Sequence, residues 1–478
     1  MRLNRLLDGV ETVKVFNYKN VNILSLTHSS KECKSGSLFF AITGQNFDGN
    51  DYILDAIKMG AKVVVTDRLD ECCDIVQVVV KDVRKCMSII SKKFYNNAVD
   101  KLKVIGIVGT AGKTTTSMII SHILSVLDKK CGVIGTNGIY INNVRYENTF
   151  TTPDPIDMHK VFYDMLKDGV EYVVMEVSAQ SIYYKKMYGV YIDIGVFTNV
   201  SNEHLDFFKT IKNYIDVKTS IFTKNSMAMC VVNIDDDTGK YIANNCGIKC
   251  ITCSTYSIAD FAVVDVKKSD SGQIIYLKNS NTVYAIKTNM IGKFNVYNLV
   301  ESIAVGKQLG IDMDTMIYAI KNMADIPGRC NRYLIHGKEV IIDFAHTPDS
   351  IDKILDTIST FYKKDMVVVF GAVGYSDLDK RRQMGKCVSK YSNKIIITSD
   401  NPGNTQFMDI CNDILLGVSN AYVELIEDRE SAIRYAYSKM CENEILVILG
   451  KGHENFQMIK NTRVPYSDKA VLDRLSVE

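Results

Sequence analysis

Short apolar runs that end in polar residues alternate along this chain with longer stretches of helical spacing. Leu38-Phe-Phe-Ala-Ile reads as a strand, Tyr52 to Met59 as a helix, and Ala61-Lys-Val-Val-Val-Thr as a strand again. Further on come Leu102 to Val108, Tyr172-Val-Val-Met-Glu-Val, Ile192-Asp-Ile-Gly-Val-Phe-Thr and Cys230-Val-Val-Asn. A last group holds Val340-Ile-Ile-Asp-Phe-Ala-His, Met366-Val-Val-Val-Phe-Gly, Lys394-Ile-Ile-Ile-Thr-Ser-Asp and Glu444-Ile-Leu-Val-Ile-Leu-Gly. Continuous apolar runs of this kind suit strands buried on both faces of parallel sheets, with ligands at their carboxyl ends. The expectation is an α/β protein in three blocks, residues 1–100, 101–328 and 329–478. Pro327-Gly328 is the best hinge in a chain with only six prolines.

The middle block opens on the most informative string. The strand ending at Val108 runs into Gly109-Thr-Ala-Gly-Lys-Thr-Thr-Thr, and a helix is predicted through Ser117-Met-Ile-Ile-Ser-His-Ile-Leu. Gly109 and Gly112, flanking Thr110, let backbone N–H groups approach phosphate oxygens, and the helix N-terminus adds partial positive charge. Lys113 neutralises the β/γ-phosphates and Thr114, followed by Thr115, can ligate the accompanying magnesium. Ile107 stands where the general pattern has glycine. A chance glycine turn before a helix is the alternative; strand, loop and helix in register point to ATP or GTP.

Two more polar residues follow strand ends, Glu176 and His204. A carboxylate and an imidazole near a phosphate loop can hold Mg²⁺ between a nucleotide and a second substrate. Taken singly, each also fits a surface or capping residue.

Composition narrows the class. Among 478 residues 46% are hydrophobic and the net charge is +2, which gives no reason to expect nucleic acid or an anionic membrane. No apolar run approaches bilayer length, and Met1-Arg-Leu-Asn-Arg-Leu-Leu-Asp lacks the apolar core of a signal peptide. Thirteen cysteines without such a signal argue for reduced thiols in the cytoplasm. Cys246, Cys250 and Cys253 have the C-x3-C-x2-C spacing of an iron–sulfur site, against the plainer reading of strand cysteines.

Gly-Thr-Ala-Gly-Lys-Thr-Thr, Thr151-Thr-Pro-Asp-Pro, Glu176-Val-Ser-Ala-Gln, Phe197-Thr-Asn-Val-Ser-Asn-Glu-His-Leu-Asp and Gly292-Lys-Phe-Asn-Val-Tyr-Asn together resemble the signatures of the Mur ligases. Pro327-Gly-Arg, Asp343-Phe-Ala-His-Thr-Pro-Asp, Ser399-Asp-Asn-Pro and Gly450-Lys-Gly-His-Glu extend that resemblance over nearly the whole chain. Within the family they resemble the tripeptide-synthetase branch, which adds the third amino acid of the peptidoglycan stem. The resemblance implies a UDP-sugar-binding first domain, a P-loop ATPase-like central sheet and a C-terminal Rossmann-like domain for the amino acid. The implied enzyme is a cytoplasmic, monomeric ligase serving cell-wall synthesis, and through it cell shape and division. It forms an amide on UDP-N-acetylmuramoyl-L-alanyl-D-glutamate through an acyl phosphate, using ATP and Mg²⁺.

By the same resemblance Lys113, Glu176, His204 and Lys218 are catalytic, and Thr114, Glu176, His204 and Lys218 serve magnesium. Lys218 occupies the family's carbamylated-lysine position; a solvated helix lysine is the alternative. Asn295 and Asn298 lie in the adenine-side motif, and Arg329 and Asp343 reach the nucleotide from the third domain. Ser29, Thr151, Thr152, Ser178, Gln180 and Lys186 match positions for the UDP-muramoyl dipeptide, Lys186 in place of the usual arginine. Asp400, Asn401 and Glu454 match positions for the incoming amino acid.

Departures qualify the specificity. Ala111 replaces an asparagine of the phosphate loop, and the neighbours of Ser29 differ from the family's Asp-Ser-Arg. Ser376 and Gly403 stand where family members that add meso-diaminopimelate carry arginines. That diacid is therefore disfavoured, which leaves lysine, ornithine or a smaller neutral amino acid open. A paralogous carboxylate–amine ligase and a non-catalytic nucleotide-binding protein are the other readings.

Overall fold

The computed structural model describes every residue except 45, 46, 72, 143, 149, 375–377 and 461, so the expectation for Ser376 lies outside the described residues. The chain divides into two compact units. The first comprises Met1–Gly109, Ile123–Val200 and His204–Thr252; the second comprises Thr110–His122, Ser201–Glu203 and Cys253–Glu478.

The first unit begins with strands β1 (Lys14–Phe16), β2 (Ser25–Thr27), β3 (Ser37–Phe40), β4 (Ala61–Thr66) and β5 (Val76–Val79). They form one sheet in the order β1-β5-β4-β3-β2, parallel but for β1. Next come β6 (Lys103–Val108), β7 (Cys131–Gly135), β8 (Gly138–Ile141), β9 (Val144–Tyr146), β10 (Tyr172–Val177), β11 (Ile192–Phe197), β12 (Met227–Asn233) and β13 (Lys249–Ser254). Here the order is β13-β12-β11-β6-β10-β7-β8-β9, with β6 flanked in parallel by β10 and β11. Every residue of β10 is buried, as an apolar strand at the centre of a parallel sheet requires.

Register sets up the loops. Pairing of Val177 and Phe197 with Val108 brings the carboxyl ends of β6, β10 and β11 level. A Cβ on Gly109, just past β6, would fall 1.8 Å from the Thr198 hydroxyl oxygen, so a side chain there would displace that hydroxyl.

The second unit holds an antiparallel trio missing from the expected strands: β14 (Phe261–Ser269), β15 (Gly272–Asn279) and β16 (Thr282–Thr288). A six-stranded sheet in the same unit contains β17 (Asn331–Ile335), β18 (Lys338–Asp343), β19 (Asp365–Phe370), β20 (Lys394–Ile397), β21 (Tyr422–Leu425) and β22 (Glu444–Leu449) in the order β17-β18-β22-β19-β20-β21. All its pairings are parallel except β17 with β18, and apolar clusters cover both faces. No helix among the described residues is long and apolar enough to cross a membrane.

Candidate active site

The phosphate-loop helix, Lys113–Val126, starts where Gly112 takes φ +89°, a left-handed value natural only to glycine. Its first turn lies in the second unit. Lys113 Nζ donates to the Thr110 carbonyl at 2.9 Å, and the Thr110 hydroxyl accepts from the Ser201 N–H at 3.1 Å. Arg329 Nη2 donates to the Thr114 hydroxyl oxygen at 3.1 Å, joining residues far apart in sequence. The Arg329 guanidinium also lies 4.9 Å from the centre of the Phe344 ring, and its buried Nε has no hydrogen-bond partner. A cleft beside it is lined by Thr115, Ile291, Asn295, Ile326, Arg329 and Cys330, among others. Asn298 donates to the Asn295 side chain at 3.1 Å, and Asn295 donates to the Ile291 carbonyl at 2.9 Å. Asp343 accepts from the N–H groups of Cys330 and Ala345 at 2.8 and 2.7 Å. Burial pushes its carboxyl above the usual range, and the Arg329 charge opposes that shift.

The first unit assembles a second polar group. Glu176 is 1% exposed; one carboxylate oxygen accepts from the Thr136 N–H at 2.8 Å and the other from the Thr136 hydroxyl at 3.1 Å. Gly135 makes room for it, since a Cβ there would lie 2.3 Å from a Glu176 oxygen. The Thr136 and Thr151 hydroxyls are 3.1 Å apart. Thr152 donates to the Glu176 carbonyl at 2.8 Å and accepts from the Ser178 N–H at 3.1 Å. Lys186 reaches the same place, 2.9 Å from Asp154 and 3.4 Å from the Thr152 carbonyl. Thus Thr151, Thr152, Ser178 and Lys186 gather around Glu176. Gln180 is half-buried on the adjoining helix Ala179–Tyr183, and Ser29 lies elsewhere in the unit, its N–H bonded to Thr27.

His204 is exposed, has φ +57° and immediately precedes the short helix Leu205–Phe208. Lys218, on the helix Ile211–Thr219, is fully buried, with its ammonium 4.2 Å from the centre of the Tyr214 ring. The solvated-lysine alternative is therefore wrong: the helix turns this residue inward. The His204 ring lies 6.2 Å from the same tyrosine ring, so both residues pack around Tyr214.

Three family models match the chain in succession. The one described as Mur ligase family, catalytic domain, matches residues 22–107; Mur ligase middle domain matches 107–306; and Mur ligase, glutamate ligase domain, matches 328–452. A UDP-N-acetylmuramoyl-L-alanyl-D-glutamate–2,6-diaminopimelate ligase of Clostridium acetobutylicum is 34% identical over 485 residues, covering 100% of both chains. The chain belongs to the Mur ligase family. The corresponding ligase of Clostridium perfringens is 36% identical, with 99% of each chain covered. A solved structure with the same enzyme name has a TM-score of 0.69 at 27% identity, covering 95% of each chain. MurF ligase from Thermotoga maritima, solved with ADP, shares the fold at a TM-score of 0.65 and 19% identity, over 91% of this chain and 96% of its own.

In this Mur ligase the C-terminal candidates surround a residue that the sequence reading passed over. Lys451 is fully buried; its ammonium donates to Asn401 at 2.9 Å, pairs with Glu454 and lies 3.7 Å from Asp400. Asn401 also donates to Glu454 at 3.2 Å. Glu454 is thus already engaged by a cation, rather than standing alone to receive an amine. Burial raises the Asp400 pKa, with Lys451 opposing. Gly403 has φ +58°, and a Cβ there would meet nothing within 4 Å. Thr136 lies outside every sequence motif, whereas Asp154 lies within Thr151-Thr-Pro-Asp-Pro. The only signal for Thr136 was its place between Gly135 and Gly138, which reads as an ordinary turn.

Proposed function

We propose that this chain is an ATP-dependent ligase that joins an amino acid to the D-glutamyl γ-carboxylate of UDP-N-acetylmuramoyl-L-alanyl-D-glutamate in peptidoglycan synthesis. The observation that carries the reading is the end-to-end match to relatives named for that reaction. In the first step a carboxylate oxygen bonds to the γ-phosphorus of ATP and the bond to ADP breaks. The amine nitrogen then bonds to the acyl carbon, phosphate leaves and the amine loses a proton. Two anions must meet in that first step, so the site has to supply positive charge and oriented donors. Lys113 and Arg329, with the backbone of Gly109, Thr110, Gly112 and Thr115, supply them. Asn295, Asn298 and Asp343 complete the nucleotide side.

By residue type, Glu176 and His204 offer magnesium an oxygen and an imidazole, Thr114 offers a hydroxyl, and the burial of Lys218 suits a lysine carrying a carbamate. Magnesium, when bound, offsets the charge of phosphate and carboxylate. Ser29, Thr151, Thr152, Ser178, Gln180 and Lys186 hold the UDP-muramoyl dipeptide. Asp400, Asn401 and Glu454, organised by Lys451, receive the amino acid. We assign the three tasks to residues 1–100, 101–328 and 329–478, in a cytoplasmic and monomeric enzyme.

The relatives' names make 2,6-diaminopimelate the first amine to test. Gly403 favours a second reading, an amine without a distal carboxylate, because no guanidinium extends from that position. ADP release and product mass, measured with the UDP-muramoyl dipeptide, ATP, Mg²⁺ and a panel of amino acids, separate the two. One amino acid should stimulate release and add its mass; silence across the panel from folded, ATP-binding protein would overturn the ligase reading. Gly403→Arg has open space but a left-handed backbone, costing about 1 kcal/mol. It should shift selectivity toward the diacid, and an unchanged profile would locate the specificity pocket elsewhere.

A further inference from the structure

We infer that Cys230, Cys246 and Cys250 form a structural site for a thiophilic divalent cation, separate from the ligase chemistry. Their sulfur atoms all lie within 4.8 Å of one another, and those of Cys230 and Cys246 are 4.0 Å apart. A metal with bonds of about 2.3 Å to thiolate sulfur holds its sulfurs roughly 3.8 Å apart when tetrahedral and roughly 4.0 Å when trigonal. The Cys230–Cys246 pair already has that spacing, and the other two pairs need to close by no more than about 1 Å.

Strand geometry decides which cysteines meet. Cys250 and Cys253 are three apart on β13, and an odd spacing sends them to opposite faces. The third sulfur comes instead from Cys230 on the neighbouring β12, and the second from Cys246, which caps the helix Asp237–Asn245. The sequence motif thus yields two of its three members, and the fold replaces Cys253.

Cys230 is wholly buried, whereas Cys246 and Cys250 are partly exposed and pack at the margin of the middle-domain core. An ion can reach the site from that margin, and water can fill a fourth position. Among the described residues the cluster's side-chain ligands are three cysteine sulfurs. Such a set favours zinc or cadmium over magnesium, the reverse of what the nucleotide site requires. Binding releases the three S–H protons to solvent and ties β12, the helix and β13 together.

Cadmium alone is the probe, titrated into reduced full-length protein. The readouts are thiolate-to-metal charge-transfer absorption, intact mass and Tm. One cadmium per chain is expected, with a Tm increase that depends on its concentration. Cys246→Ser and Cys250→Ser should each weaken binding at least tenfold and lose that increase. Both side chains are partly exposed, so both variants should fold, which circular dichroism of the metal-free proteins checks. Cys441→Ser, at an exposed thiol, should bind as the parent does. Absence of a stoichiometric charge-transfer band, or binding that survives both serine variants, would overturn the site. So would cadmium that excess Mg²⁺ displaces.

Discussion

Two glutamates lie almost wholly inside this protein, and their surroundings are opposite. Glu176, at the end of β10, has its two oxygens held by the N–H and the hydroxyl of Thr136. Glu301, within the helix Lys293–Gln308, is 0% exposed, and neither of its oxygens has a hydrogen-bond partner. Burial pushes the Glu301 carboxyl well above the usual range; nearby Thr116 offsets part of this without a well-formed bond to either oxygen. Burial alone therefore does not mark a functional carboxylate. The two Thr136 donors that fix its oxygens set Glu176 apart and suit the cation-binding role proposed for it, since a ligand for a cation has to be fixed as well as desolvated.

Exchanging Glu176 for glutamine is the strongest way to break the comparison. Glu176→Gln keeps the volume and removes the charge. Turnover should fall by more than about 100-fold, beyond the roughly 10–100-fold typical of a partner one shell out from a metal. Tm should move little. Near-normal turnover would make Glu176 as structural as Glu301. Thr136→Val tests the donors themselves: it removes the hydroxyl but keeps the N–H bond, so a loss nearer tenfold is expected. Full activity in that variant would show that the hydroxyl does not position the carboxylate.

The contrast also separates what was legible in the chain from what was not. Glu176 could be found because β10 is a continuous apolar run, and a carboxylate at its end stands out. The phosphate loop was legible for the same reason, with β6 and the helix at Lys113 both matching their patterns. Thr136 could not be found, because its partner is fixed by the pairing of β7 with β10 rather than by spacing. The contact between Arg329 and Thr114 is equally invisible without the fold. The β14–β16 trio escaped for another reason. Its strands are half-exposed, as in β14, where most residues after Phe261 face solvent at least partly. Search by apolar runs favours fully buried strands, so it passed over this antiparallel group even though Asp270-Ser-Gly and Asn279-Ser-Asn mark its turns. Cys253 failed by the same geometry, since spacing suggested a cluster that strand alternation divides.

The smallest expected effect on turnover, and the sharpest check on the comparison, is at Glu301. Glu301→Met replaces an unsatisfied acid with an apolar side chain of similar size. Activity should be unchanged and stability higher, by about 1–3 kcal/mol at neutral pH for one buried polar group relieved. The pH dependence fixes the cause. A carboxyl whose folded pKa is raised keeps its proton in the native state after the unfolded chain has lost its own. Stability then falls as pH rises above the ordinary glutamate range, until the folded group also titrates. The parent should lose stability across that window while Glu301→Met does not. Their Tm difference should thus be smallest in acid and widen toward neutral pH. A difference independent of pH would mean that packing around the helix, rather than the buried proton, sets the cost of Glu301.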